Sequence, residues 1–557
     1  MHTVSEVAFF DANACLGRSM CRTPGSPYDL KGLLRELDLC RITRALVYHA
    51  SARELDSRKG NRALLEEIGG NRRLVPAAVF NPTPYKGERD LVGELSGLIR
   101  SGFKAFRAFP LYHGINFSDP EVRNVLGGLA ERKSALWLDY DQLYYNFNQI
   151  GQHEQRAIDL AQVDLLAADF PDLTLVVVGA MYNHHSALFR VFDRRANVKA
   201  ETSLFQGFEM IRFVCERWGA ERLLFGTGLP LTSPGAARAA LVYADISEDE
   251  KRKIASGNLE ALLGEQQTPT LPDDPGRSRI MAAVDRGETL DSIPIFDCHG
   301  HIAPPGFEGP YGLTLGPQDA GSIVKVLDRI GIDSVAVSSW ELMGGDTLEG
   351  NRTAWEAAQA FPGRFLPYAV VNSNYPEEWP QLVEECFTAR RFFGFKPYPF
   401  SQRRQISDPA FENMLELAQN LRLPILCHFA FEPLGGVTAE EIASLAPRYP
   451  QTTFIVAHSG ASFRAARVLV PLAQEFSNIY LEINYTSVPF GMVSYLANEA
   501  GVEKVLFGTD TPMRDPSPIL GWVVYDHLSD EARRKILGGN FLNLVKKIGY
   551  PGRLKGL

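Results

Sequence analysis

The sequence predicts an α/β protein made of two tandem (β/α)8 TIM-type barrels. Three observations point there. The chain repeats itself once along its length, and short apolar runs alternate with helix-patterned stretches eight times in the second copy. At 557 residues it also has room for two barrels of about 250 residues each and a linker.

The repeat is collinear. GNRALLEEIGGNRRLVPAAVFN (Gly60 to Asn81) parallels GNRTAWEAAQAFPGRFLPYAVVN (Gly350 to Asn372), and SDPEVRNVL (from Ser118) parallels SDPAFENML (from Ser407). GAERLLFGTGLP (from Gly219) parallels GVEKVLFGTDTP (from Gly501), and RKIASGN ending at Asn258 parallels RKILGGN ending at Asn540. The offset between matched segments drifts by only a few residues, as loop-length changes after a duplication would produce.

The candidate strands of the second copy are PIFDCHGHI, SVAVSS, LPYAVVN, FFGFKPYP, PILCHFA, FIVAHSG, IYLEINYTS and KVLFGTD. Between them, AGSIVKVLDRI, NRTAWEAAQAF, AFENMLELAQNL and AEEIASLAPRY carry apolar residues at three- and four-residue spacing, the pattern of amphipathic helices. Eight such alternations predict a closed parallel barrel. GEQQTPTLPDDPGRS (Gly264 to Ser278) has no apolar period and reads as a linker. The expected domains are residues 1–264, a linker with a lead-in helix over 265–292, and 293–557.

Composition narrows the function classes. Hydrophobic content of 45%, charged content of 22% and a net charge of −9 describe a globular chain that does not favour nucleic acid as a partner. The seven cysteines, Cys15, Cys21, Cys40, Cys215, Cys298, Cys386 and Cys427, are scattered with no CxxC pair, which suits a reducing compartment. The N-terminal stretch MHTVSEVAFFDANA has no leader pattern, and no run approaches the roughly 18 apolar residues needed to span a bilayer. A cytoplasmic protein without a membrane partner is expected.

Asp297, His299 and His301 occupy i, i+2 and i+4 of the first strand of the second copy, so the pleat turns all three to one side. Alone, this pattern also fits a polar strand end whose histidines bond backbone carbonyls. Three further groups favour a metal site: His428 follows PILC, His458 follows FIVA, and Asp510 follows VLFGT. Each stands at the C-terminal end of an apolar run, where barrel enzymes place their chemistry.

These residues, with GFKPYP (Gly394 to Pro399), AHSG (Ala457 to Gly460), FGTDTP and the closing GGN (Gly538 to Asn540), resemble the amidohydrolase superfamily. Within it they are similar to the amidohydrolase-2 group of metal-dependent hydrolases, lactonases, decarboxylases and hydratases. The resemblance covers the second copy well and the first in skeleton only. It implies a site in which His299, His301, His428 and Asp510 hold one divalent ion, expected to be zinc, while His458 acts as acid/base or electrostatic partner. A catalytic zinc takes N and O ligands and keeps a position open for water, whose pKa falls towards about 7. Asp510 is also placed to accept a proton from that water.

Several neighbours have two readings. Asp297 is either a weak ligand or a group that orients an imidazole. Lys396 ends the fourth strand, where binuclear relatives carry a bridging carboxylated lysine; with one metal expected, it would pair with a substrate carboxylate or an acidic neighbour. Arg464, Arg467 and Arg514 follow site strands and either grip an anionic substrate or face solvent. Glu482 has a counterpart, Glu201, in the first copy, and is expected in a structural ion pair.

The first copy keeps Asp11 but carries Asn13 and Cys15 in place of the paired histidines, Asp139 in place of His428, Gly179 in place of His458 and Gly228 in place of Asp510. An idle site is expected there, with His184 and His185 on a solvated loop. The function expected of the second copy is hydrolysis of a small, anionic ester, lactone or amide by hydroxide at the metal. One rival is non-oxidative decarboxylation or hydration of a small carboxylic acid. A rival of another class is a catalytically idle binding or regulatory protein, against which the intact ligand set argues. The partner expected is a small-molecule substrate, and a homo-oligomer is left open.

Overall fold

In a computed structural model, the protein is described over residues 7–82, 90–143, 158–272, 274–290, 292–307, 316–343, 345–433 and 435–555. Residues 1–6, part of the stretch read for a leader, and Asp273 of the expected linker lie outside the described residues. The chain divides into two compact units, Met1–Arg277 with Pro489–Gly491, and Ser278–Val488 with Met492–Leu557. The 265–292 segment is thus shared between the units, and its helix Arg279–Asp285 belongs to the second.

Each unit is a (β/α)8 barrel. The first has β1 (Phe10–Leu16), β2 (Arg44–His49), β3 (Leu74–Val79), β4 (Ala105–Ala108), β5 (Ala135–Asp139), β6 (Thr174–Val178), β7 (Val198–Glu201) and β8 (Leu223–Leu224), paired in sequence order. The second has β9 (Phe296–Ile302), β10 (Ser334–Ser339), β11 (Phe365–Ala369), β12 (Gly394–Phe395), β13 (Pro424–His428), β14 (Thr453–Ala457), β15 (Ile479–Glu482) and β16 (Val505–Leu506), again in sequence order. All the strand pairs are parallel, and helices cover the outside, which is why TLVVV and TFIVA read as unbroken apolar runs buried along their length.

Closure comes from backbone bonds between the first strand and the segment after the eighth. Ala12 N donates to Phe225 O (2.7 Å) and Cys15 N to Leu229 O (2.8 Å); in the second barrel Cys298 N donates to Phe507 O (3.0 Å) and His301 N to Thr511 O (2.6 Å). The repeated SGN and GGN motifs also have a structural explanation. Each sits at a π-helical turn, Lys253–Gly257 and Lys535–Gly539, followed by an asparagine. Asn258 Nδ2 donates to the carbonyls of Ala220 and Leu223 (both 2.8 Å), and Asn540 Nδ2 to those of Val502 (2.7 Å) and Val505 (2.8 Å). The GGN that contributes to the family likeness therefore belongs to the scaffold.

Loop after β6 was expected to be solvated at His184 and His185, and it is not. His185 opens helix His185–Arg194, is fully buried, and packs against Phe205 and Phe189 at ring-centroid distances of 4.3 and 5.3 Å. Among the described residues, no helix is long and apolar enough to cross a membrane.

Candidate metal centre

The closure bonds that seal the second barrel also assemble its mouth. Asp510 N donates to His299 O (2.7 Å), which draws the segment after β16 against β9. Asp510 Oδ1 then lies 3.2 Å from His299 Nε2 and 3.0 Å from His301 Nε2. The donor atoms of these three buried residues fall within 4.8 Å of one another, and so do those of a second set, His299, His458 and Glu482. Burial pushes the imidazoles of His299 and His301 below their ordinary pKa, so they are neutral and their contacts with Asp510 are hydrogen bonds rather than ion pairs. For Asp510, burial alone would raise the carboxyl. The Arg514 guanidinium and the two imidazoles outweigh it and hold the group well below the usual carboxylate range.

Two neutral imidazoles and one ionised carboxylate, buried together, fit a divalent cation. The mixed N and O donors suit zinc and also the harder manganese. Supporting contacts fix the rings: Ser338 Oγ lies 3.1 Å from His301 Nδ1, and Trp340 stacks on His301 at 4.2 Å.

The remaining predicted residues fall into distinct places. His458 is buried beside the trio, its ring centroid 5.2 Å from that of His299, and burial lowers its pKa to about 4. His428 lies outside both donor sets, and its Nδ1 is 3.1 Å from His458 Nε2. Asp297 is not placed as a ligand. Its Oδ1 accepts the N–H of His299 (2.9 Å) and Thr509 (3.0 Å) and its Oδ2 accepts the Thr509 hydroxyl (2.5 Å), so it positions His299 through the main chain. Burial raises its carboxyl to about 7.

Lys396 is fully buried, with Nζ 3.3 Å from His299 Nε2, and burial lowers its pKa to about 8. Arg514 is buried and committed to Asp510 Oδ2 and to Thr486 Oγ1 (2.6 Å), an assignment that differs from gripping substrate. Arg464 is exposed on helix Phe463–Glu475 and stacks over Phe431 at 4.0 Å, away from the donor sets. Glu482 pairs with no Lys or Arg among the described residues. Its oxygens accept the N–H of His458 (2.9 Å) and Asn484 (2.7 Å), and burial raises it to about 8. The expected ion pair is thus a carboxylate strapping two backbone segments. Glu201 does the same for Gly179 and Ser203 in the first barrel.

Backbone conformation separates the chemistry from the scaffold. His458 and Asp510 both adopt left-handed φ values, 65° and 61°, a region that costs a residue with a Cβ of the order of 1 kcal/mol or more. Their counterparts Gly179 and Gly228 hold the same conformation, φ 71° and 70°, without that penalty. Where the side chain is not needed, the relaxed residue stands.

The first barrel shows what fills such a site when the metal residues are gone. Arg107, at the position of Lys396, donates through Nε (3.2 Å) and Nη2 (2.5 Å) to Asp139 Oδ2 and through Nη1 (2.8 Å) to Asn13 Oδ1. A buried guanidinium thus stands among the residues that replace His299 and His428, and Cys15 joins the apolar cluster that includes Tyr48 and Trp137. A Cβ on Gly179 would meet Gln142 Cβ at 3.0 Å, and one on Gly228 would meet Leu143 Cδ2 at 3.1 Å.

Asn484 and Arg107 are the site residues that motif reading passes over. Both stand at positions where the two copies differ (Ser203 against Asn484, Arg107 against Lys396), so a search of the internal alignment for buried polar changes would have found them.

The amidohydrolase profile matches residues 61–264 and 296–544, most of both barrels. No curated protein matches the chain. Among solved structures, 2,6-dihydroxybenzoate decarboxylase from Rhizobium is similar at 18% identity over 46% of this chain and 99% of its own, with a TM-score of 0.36. A dihydroxybenzoic acid decarboxylase from Polaromonas with bound manganese is similar at 21% identity over 46% and 97%, TM-score 0.35. A 5-carboxyvanillate decarboxylase from Novosphingobium aromaticivorans, complexed with manganese, is similar at 14% identity over 46% and 97%, TM-score 0.39. With the profile spanning both copies, the chain belongs to the amidohydrolase family, as a tandem duplication of its (β/α)8 barrel.

Proposed function

We propose that the C-terminal barrel is a metal-dependent hydrolase of a small, anionic ester, lactone or amide, with His299, His301 and Asp510 holding one divalent ion. The observation that carries this reading is the buried trio of donors within 4.8 Å, present in one barrel and replaced in its internal twin. Bound there, a divalent cation supplies Lewis-acid activation of a carbonyl and of water.

The chain's own residues do the rest. Arg514 occupies Asp510 Oδ2, leaving Oδ1 towards the histidines. His458, held neutral by burial, offers a ring nitrogen for a proton or for a hydrogen bond to a carbonyl oxygen. Lys396, fully buried with Nζ 3.3 Å from His299 Nε2, supplies a cation suited to a substrate carboxylate. Asp297 keeps His299 in place through its backbone.

The test is a panel of lactones, amides, esters and aromatic carboxylic acids offered to protein loaded with zinc or manganese. Metal-dependent ring opening or cleavage, abolished in His301→Ala, is the expected result. Release of carbon dioxide in place of a hydrolytic product would assign the barrel to decarboxylation, and turnover that persists without metal would overturn both.

A further inference from the structure

Trp340, at the C-terminal end of β10, is a buried donor without an acceptor. It is 2% exposed, and among the described residues its indole Nε1–H has no hydrogen-bond partner. A buried tryptophan N–H ordinarily finds one, because a donor cut off from water recovers nothing for the bond it gave up.

The strand places this ring at the metal donors. Along β10 alternate side chains turn inward. Ala336 lies in the barrel's apolar core, and Ser338 Oγ is 3.1 Å from His301 Nδ1. Trp340, the next inward position, lies face to face with His301 at a centroid distance of 4.2 Å and an interplanar angle of 17°. The two copies diverge here. β9 and β10 pair Ile302 with Ser339 as β1 and β2 pair Leu16 with His49, so Trp340 corresponds to Ala50. Ala50 belongs to the first barrel's apolar cluster. The barrel skeleton thus does without an indole at this position, and the ring accompanies His299, His301 and Asp510.

We infer that Trp340 is a substrate-binding residue of the second barrel, its Nε1–H donating to a carboxylate oxygen of the substrate. The inference rests on, and deepens, the reading of this barrel as a metal-dependent site for a small anionic substrate. An indole N–H donates and cannot accept, so it takes an oxygen acceptor and rejects an ammonium. Lys396 complements it. The rings of His299 and His301 are 5.4 Å apart; Lys396 Nζ stands 3.3 Å from His299 Nε2, and Trp340 covers a face of His301. A lysine acts as a point charge that attracts an anion from any direction, whereas the indole N–H bonds along one line. Lys396 thus favours the anion's charge and Trp340 its orientation. Stacking alone would not ask for this residue: phenylalanine offers His301 a flat face with no buried donor to satisfy.

The experiment uses the full chain with 15N-labelled tryptophan, loaded with zinc and titrated with acetate, a carboxylate small enough to enter a buried site. The Trp340 indole signal is identified by its loss in Trp340→Phe, which keeps a ring on His301 and removes the N–H. The expected result is a saturable downfield shift of the Trp340 Nε1–H proton with acetate. In Trp340→Phe the Kd for acetate should rise by about tenfold or more, at an unchanged Kd for zinc. A Trp340 signal indifferent to saturating acetate overturns the inference, and so does one that moves on zinc loading and no further. Loss of zinc from Trp340→Phe would also overturn it, since the ring would then serve His301 rather than the substrate. Should that variant not fold, the acetate titration of the unsubstituted protein decides alone, the Trp340 signal then being the indole most broadened when manganese replaces zinc. An unsubstituted protein that takes up no zinc would fail the metal reading and remove the inference with it. Acetate bound through Trp340 without turnover of any ester, lactone or amide would leave it standing and overturn only the proposed reaction.

Discussion

At the scale of single residues, the two barrels form an internal control. Asp11 and Asp297 make matching contacts, each accepting two backbone N–H groups and one threonine hydroxyl, so this aspartate has a structural duty in both copies. His458 and Asp510 do the opposite, holding strained backbone that the idle copy relaxes to glycine. His458→Gly and Asp510→Gly should each be more stable than the matching alanine variants by about 1 kcal/mol, read as a shift in urea midpoint. Equal midpoints would show that the backbone carries no strain. His299→Ala and His301→Ala should weaken zinc binding by more than the about 10- to 100-fold that loss of a supporting group costs. His458→Asn, with a residue that tolerates left-handed φ, should keep the metal while kcat drops by about two to four orders of magnitude. Metal analysis and turnover on one preparation check both. Loss of zinc in His458→Asn would move His458 into the ligand set with Glu482.

At the scale of elements, strand one is locked to the segment after strand eight by an aspartate and a threonine in each barrel. Thr227→Val and Thr509→Val should each cost about 1–3 kcal/mol by leaving a buried carboxylate short of a donor. Thr509→Val should also reduce turnover through His299, whereas Thr227→Val should leave kcat unchanged. A fall in kcat from Thr227→Val would show that the first barrel takes part in the reaction. His185 gives a pH prediction. Burial lowers it to about 3 from an ordinary 6.5, so the unfolded chain takes up a proton that the folded chain refuses. Stability is therefore full above about 6.5 and falls as pH drops through the window between 6.5 and 3. Among the described residues, neither ring nitrogen has a hydrogen-bond partner. His185→Phe should raise stability by about 1 kcal/mol at neutral pH and flatten the acid side of the profile, as followed by thermal unfolding from pH 7 to pH 4. An unchanged profile would mean that the ring is hydrated in solution.

The eight strands of the second barrel were legible because parallel strands buried on both faces leave plain apolar runs. The donors were legible because a period of two aligns Asp297, His299 and His301. What those donors do to one another was not. The pairing of Arg514 with Asp510, the engagement of His428 by His458, and the burial of His185 depend on side-chain directions and loop paths that no local pattern records.

At the scale of the whole molecule, one duplication has met two ends. In the second barrel a cation site is framed by neutral imidazoles; in the first, a covalently attached cation, Arg107, neutralises Asp139 in the corresponding place. Arg107→Ala should destabilise the first barrel by about 3–5 kcal/mol, since it removes the buried guanidinium that pairs with Asp139, without altering zinc content. Zinc content at saturation should be one equivalent per chain, because among the described residues both donor sets contain His299 and neither lies in the first unit. A second equivalent, measured by elemental analysis, would count against this division.

The packing around Gly179 and Gly228 also bears on the history of the duplication. Gln142 and Leu143 stand 3.0 and 3.1 Å from where a Cβ on Gly179 and Gly228 would lie, so a side chain restored at either position asks its neighbour to give by a few tenths of an ångström. Regaining the second barrel's donors in the first therefore asks for repacking at these two positions as well as for new side chains.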